Sequence, residues 1–222
     1  RRAGDVGQIF VKETPSSAES GGQVGDVGAI SADGFACEVT NTINPARKMT
    51  AHNVVVKSGR GKVGDTVTLA IDVEKREATR RHHSAAHLFH AALREVVGSH
   101  ATQAGSYVSP ERMRFDFHSP RALTVEELAA IEARVNEKIR EDIPVETIVT
   151  NVDEAKKMGA TMLFSEKYGS EVRMLRMGDF SCELCGGTHA TSTGKLCCFF
   201  IAEESALAAG IRRVEAYCGA VG

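Results

Sequence analysis

Apolar and polar residues alternate in short bursts over the first third of the chain. Gln8–Val11, Phe35–Ile43, Asn53–Val56 and Thr66–Ile71 are β-branched or alternating and predict strands. Turn residues separate them at Ser20-Gly21-Gly22, Ala32-Asp33-Gly34, Ser58-Gly59 and Val63-Gly64-Asp65. Short strands at close spacing with glycine turns predict a small β-barrel. At about Thr79 the period changes. Ala85, Leu88, Phe89, Ala92, Leu93, Val96 and Val97 form one helical stripe, predicting a helix over Thr79–Val97 that stops at Gly98. Thr124 and Glu127 read as a capping box ahead of a second stripe, Leu128, Ile131, Val135 and Ile139. Pro144 closes that helix. A strand is expected over Val145–Val149, a short helix over Asp153–Met158, and strands over Glu171–Arg176, Leu196–Ile201 and Gly210–Ala216. The expected fold class is therefore α+β. A small N-terminal β-barrel over residues 1–78 precedes a two-layer core over 79–222, with helices on a mostly antiparallel sheet.

The 222 residues suit one to two domains. With 42% apolar and 25% charged residues, the composition is that of an ordinary globular chain. No run approaches the roughly 18 apolar residues of a membrane helix, so no membrane-spanning helix is expected. Arg1 has no apolar stretch behind it, so no secretory leader is expected, and the missing initiator Met suggests an excised or processed chain. Net charge is 27 − 29 = −2, which excludes a globally basic nucleic-acid wrapper. Local basic clusters remain at Arg47-Lys48, Lys57 to Lys62, Arg80-Arg81 and Arg212-Arg213. Arg80, Arg81, Arg212 and Arg213 read either as phosphate contacts or as ordinary solvated charge. Six cysteines are too few for a disulfide scaffold. A reduced, cytoplasmic compartment fits, with an organelle as the alternative.

Two constellations carry chemistry. On a helix, His83 and His87 share a face and can aim both imidazoles at one ion. His82 points about 100° away, and His90 is the alternative partner of His87. The metalloprotease pattern needs Glu after the first His, and Ser84 stands there. In the second, Cys185 and His189 are brought together by a Gly-Gly turn, a donor pair suited to zinc. Cys182 completes a CxxC spacing but reads better as a packed strand residue. Together, His83, His87, Cys185 and His189 offer four donors in two close pairs. Closed by all four, the site is structural; with one position left to water, it is catalytic.

Several segments together resemble the editing domain of alanyl-tRNA synthetase and its free-standing trans-editing relatives. They are His-Ser-Ala-Ala-His at 83–87, Thr-Gln-Ala-Gly-Ser at 102–106, Arg-Phe-Asp-Phe at 114–117, Glu-Leu-Cys-Gly-Gly-Thr-His at 183–189 and Gly-Ile-Arg-Arg-Val-Glu-Ala at 210–216. Ala-Glu-Ser-Gly-Gly-Gln-Val-Gly-Asp at 18–26 resembles the same family's N-terminal signature. The resemblance runs in order over nearly the whole chain. It implies hydrolysis of alanine tRNA wrongly charged with serine or glycine, with the tRNA acceptor end as partner. By resemblance, His83, His87, Cys185 and His189 hold Zn²⁺ and Gln103 lines the substrate pocket; on sequence alone Gln103 also reads as a loop-capping amide. Gly21, Gly22 and Gln23 read either as a backbone loop near an RNA 3′ end or as a plain β-turn.

The chain departs from the family pattern in places. Ala86 stands where the family often has Thr, and Ser16-Ser17 where it often has aromatics. With no aminoacylation segment before Arg1 and no long helical dimerisation segment after Gly222, the chain is expected not to charge tRNA. The rival readings are a non-catalytic tRNA-binding module with structural zinc and a threonyl-tRNA synthetase-type editing domain.

Overall fold

The computed structural model describes residues 3–46, 49–161 and 171–219. The Arg47-Lys48 cluster lies outside them. The chain divides into two compact units, residues 1–77 and 78–222.

The first unit is one antiparallel sheet of β1 (Val6–Phe10), β2 (Gly28–Ala32), β3 (Phe35–Ala46), β4 (Met49–Gly59) and β5 (Thr68–Ile71), in the order β1-β4-β3-β2-β5. Alternate residues Phe35, Cys37 and Val39 of β3 point inward with Ile30, Val54 and Val56 to form its core. Among the described residues no pairing joins β1 to β5. The expected barrel is thus matched as far as a five-stranded antiparallel sheet. A long loop separates β1 from β2, and its neck is closed by Asp26. Ser17 N–H donates to the Asp26 carboxylate at 2.5 Å, and Asp26 N–H returns to the Ser17 carbonyl at 2.9 Å. Arg76 Nε donates to Asp26 at 2.7 Å, and its Nη2 reaches both Asp26 and the Pro15 carbonyl.

The helix α1 (Val73–Val97) begins six residues before the expected Thr79. Asp72 caps it, its carboxylate accepting the Lys75 N–H at 3.0 Å. The boundary between the units falls inside this helix.

In the second unit, β6 (Gln103–Val108), β7 (Met113–His118), β11 (Phe199–Ala208) and β12 (Ile211–Cys218) form an antiparallel sheet ordered β11-β12-β7-β6. A three-stranded antiparallel sheet, ordered β10-β9-β8, comprises β8 (Val145–Thr150), β9 (Val172–Met177) and β10 (Ser181–Leu184). The remaining helices are α2 (Val125–Arg140) and α3 (Val152–Lys157). Leu88, Phe89, Ala92 and Leu93 of α1 bury against Met113, Phe115 and Phe117 of β7 and against Ile131, Val135 and Ile139 of α2. The Phe89 ring meets Phe115 edge-on at 5.3 Å. Each fully buried Leu or Phe here contributes about 1.5–3 kcal/mol, so this core fixes α1 over the sheet. Ala86 belongs to that core and is 5% exposed. No helix of the described residues is long and apolar enough to cross a membrane.

Candidate metal centre

Packing of α1 presents its histidines in sorted roles. His82 uses both ring nitrogens on the backbone: Nδ1 lies 3.1 Å from the Ala78 carbonyl and Nε2 accepts from Cys218 N–H at 3.1 Å. His83 and His87, one turn apart, stack with centroids 5.3 Å apart. β10 delivers Glu183, and the chain just past its end delivers Cys185 and the turn to His189. Cys185 N–H donates to the Arg173 carbonyl at 2.9 Å, and the Arg173 guanidinium donates to the Gly186 and Gly187 carbonyls at 3.1 and 2.7 Å. Those contacts pin a turn that would otherwise be loose.

One donor atom from each of His83, His87, Cys185 and His189 lies within 4.8 Å of all the others. Cys185 Sγ is 3.4 Å from His83 Nε2 and 3.3 Å from His189 Nε2. Tetrahedral zinc, with bonds of about 2.3 Å to sulfur and 2.0 Å to nitrogen, separates such atoms by about 3.5 Å. His87 Nε2 is buried with no hydrogen-bond partner, while its Nδ1 is bonded to Glu183. An orphaned buried nitrogen facing a thiolate and two imidazoles is what a fourth metal donor looks like without its ion. The residues therefore fit zinc.

Electrostatics agree. Burial pushes the Cys185 thiol up, but His87 and hydrogen bonds from His189 and His83 outweigh it and draw it down to about 2. Burial pulls His87 down, and the Cys185 and Glu183 charges reverse this and lift it to about 10. Burial and the neighbouring His83 and His87 charges draw His189 down to about 3, against the pull of the Cys185 thiolate. Burial raises Glu183, yet His87 and His90 hold it far below the usual carboxylate range. A ready thiolate is the form a metal needs.

The remaining predicted residues lie outside the four-donor cluster. Gln103 is half-buried on the edge strand β6, in register with Phe117, whose ring packs on Phe89; its side chain thus lies on the α1 side of the sheet. Arg80 and Arg81 are half-buried on α1. Arg212 forks onto Glu204 at 2.6 and 2.9 Å, and Arg213 onto Asp116 at 2.7 and 3.0 Å. In the first unit Gly21 (φ 58°) and Gly22 (φ 86°) form a two-residue turn closed by paired Ser20 and Gln23 backbones, with Gln23 buried. Cys182 packs against Met174 and away from the four donors. Two residues escaped the sequence reading: Glu183, and Ser84, whose hydroxyl lies 3.4 Å from His189 Nδ1 and accepts from Ala190 N–H at 3.0 Å. The visible signal was their position inside the two quoted motifs.

Residues 172–215, which include Cys185 and His189, match the family described as "Threonyl and Alanyl tRNA synthetase second additional domain". Residues 2–75 match "tRNA synthetases class II (A)". The alanine–tRNA ligase of Acidithiobacillus ferridurans is 50% identical over 99% of this chain. The chain is a homologue of one segment of alanine–tRNA ligases. Alanine–tRNA ligase 1 of Lachnoclostridium phytofermentans is 51% identical over 96% of the chain, and the ligase of Idiomarina loihiensis 48% over 98%. The chain spans only about a quarter of these relatives, 25%, 24% and 25% of their lengths.

Proposed function

We propose that this chain is the proofreading unit of an alanine–tRNA ligase, hydrolysing the ester of alanine tRNA mischarged with serine or glycine. The observation that carries the reading is the four-donor cluster of His83, His87, Cys185 and His189. Two of those donors lie inside the segment that matches the synthetase additional domain.

Chemistry explains why such a unit is needed. An alanine pocket cannot exclude smaller glycine by size, and it rejects the added hydroxyl of serine only about a hundredfold. A second, hydrolytic site supplies the missing discrimination. When bound, zinc contributes Lewis-acid charge that polarises an ester carbonyl. The chain's own residues do the rest. Ser84 orients His189 through its Nδ1. Gln103, on the α1 side of its sheet, supplies an amide that donates to the aminoacyl group or terminal ribose. Arg80 and Arg81 are assigned to phosphates of the acceptor end, whereas Arg212 and Arg213 are held by Glu204 and Asp116. In the first unit, the Gly21-Gly22-Gln23 turn offers backbone for an RNA 3′ end. The expected site of action is the cytoplasm, with an organelle that charges its own tRNA as the alternative.

A second reading rests on the donor count. Four protein donors suit a closed structural zinc in a tRNA-binding module without catalysis. Incubation with seryl- and glycyl-alanine tRNA, seryl-threonine tRNA and correctly charged alanine tRNA separates the readings. Turnover of the first two alone is expected. Tight tRNA binding with no turnover favours the module, and preference for seryl-threonine tRNA favours a threonyl-type editor.

A further inference from the structure

Behind the four donors sits a second layer of polar side chains. Glu183 is a buried carboxylate, its side chain 13% exposed, and it is shared by two imidazoles. One oxygen takes His87 Nδ1; the other lies 2.5 Å from His90 Nδ1. We propose that Glu183, braced by His90, is a positioning residue that fixes which nitrogen of His87 faces the cluster and so sets its metal affinity. This rests on reading the cluster as a metal centre.

The geometry leads there step by step. His87 and His90 are three apart on α1, so their rings are neighbours on one side of the helix. Glu183 and Cys185 are alternate residues where β10 ends, so one piece of backbone carries both the carboxylate and the thiolate. β10 is itself held: Glu183 is in register with Leu175 of β9, and Thr161 bridges it on the other side. An ionised carboxylate accepts hydrogen bonds and donates none, so both ring nitrogens facing it must carry protons. With Nδ1–H of His87 committed to Glu183, Nε2 is the atom offered to the other donors, and it is the buried nitrogen without a partner. An imidazole free to flip would offer either nitrogen, and half its orientations would miss the site.

His90 stands outside the ligand set. Its ring packs 5.1 Å from Phe115, in the core, and its Nε2 is buried away from any partner. Its only hydrogen-bonding role among the described residues is to hold the second oxygen of Glu183. A carboxylate held at one oxygen swivels about its bond, whereas one held at both cannot.

The test uses the full chain and three substitutions, Glu183→Ala, Glu183→Gln and His90→Ala. Zinc affinity is read by competition with a chromophoric chelator. Deshielded imidazole N–H proton resonances are read by NMR with and without zinc. Glu183→Ala is expected to weaken zinc binding about 10–100-fold and to remove the deshielded His87 Nδ1–H signal. Glu183→Gln keeps a neutral acceptor and is expected to recover most of the affinity, which a purely structural defect would not allow. His90→Ala is expected to cost less than Glu183→Ala while leaving the His87 signal in place. If Glu183→Ala does not fold, His90→Ala decides. Zinc affinity within twofold of the parent in Glu183→Ala, or in His90→Ala where Glu183→Ala does not fold, overturns the proposal. So does an unchanged His87 signal in Glu183→Ala. If the parent chain itself takes up no zinc, the metal-centre reading fails, and the proton resonances still show whether Glu183 orients His87.

Discussion

Replacing Asp26 by alanine should remove a large share of the first unit's stability. Asp26 is 8% exposed and accepts from Ser17 N–H and from two nitrogens of Arg76, which is equally buried. Its loss strands a guanidinium whose remaining described hydrogen bond is to the Pro15 carbonyl at 3.0 Å, with Glu77 as the neighbouring negative charge. Breaking one side of a buried ion pair costs about 3–5 kcal/mol. Partial escape of the long Arg76 side chain to water trims this, so about 3 kcal/mol is expected. A 77-residue unit has roughly 4–12 kcal/mol to lose, at about 0.05–0.15 kcal/mol per residue. The assay is urea denaturation of the full chain, followed by amide resonances of β3 and β4 so that the first unit is read separately. A cycle with Arg76→Met completes it: the double variant should regain part of the loss, because no buried charge is left alone. A loss below about 1 kcal/mol in Asp26→Ala would refute the reasoning, since that is the range of exposed pairs.

A β-carbon added at Gly25 would sit 2.0 Å from the Thr42 carbonyl oxygen, whereas one at Gly21 meets nothing within 4 Å. Gly25→Ala should therefore lower the unit's denaturation midpoint well beyond Gly21→Ala, whose cost is the backbone strain at φ 58° of about 1 kcal/mol; equal midpoints would contradict the packing. Cys182→Ser should leave zinc content unchanged while Cys185→Ser abolishes it, as measured by elemental analysis; parallel losses would restore the CxxC pairing. Glu127 bonds Arg121 and the Thr124 N–H, and these hold its carboxyl down at about 2. Because its folded value is depressed, its support of the α2 cap is present above the unfolded value of about 4.3 and is lost as pH falls toward 2. An NMR titration midpoint at the ordinary value would contradict that cap.

Legibility differed by element for physical reasons. The capping box of α2 is local chemistry, and Thr124 and Glu127 bond each other as their spacing predicts. The first turns of α1 were hidden because Arg76 is buried by an ion pair, and hydrophobic periodicity cannot register a buried charge. β6 and β7 both went unpredicted: Gln103 to Val108 lacks apolar alternation, and in β7 the alternation of Met113, Phe115 and Phe117 is short and interrupted by the charged Arg114 and Asp116. Whether five strands close depends on the pairing of distant edges, which strand counts and turns do not encode. Four donors could be proposed from spacing, and their atoms converge. Glu183 was overlooked because its partners are 93 and 96 residues away and meet it only through the packing of α1 on β10.

The most direct measurement is single-turnover hydrolysis of seryl-alanine tRNA by the full chain, with zinc content determined on the same samples. The parent chain should carry about one zinc and release serine, and the double variant His87→Ala, Cys185→Ala should lose both the metal and the hydrolysis while remaining folded. Hydrolysis at the parental rate by a folded, zinc-free double variant would contradict a metal-centred editing site.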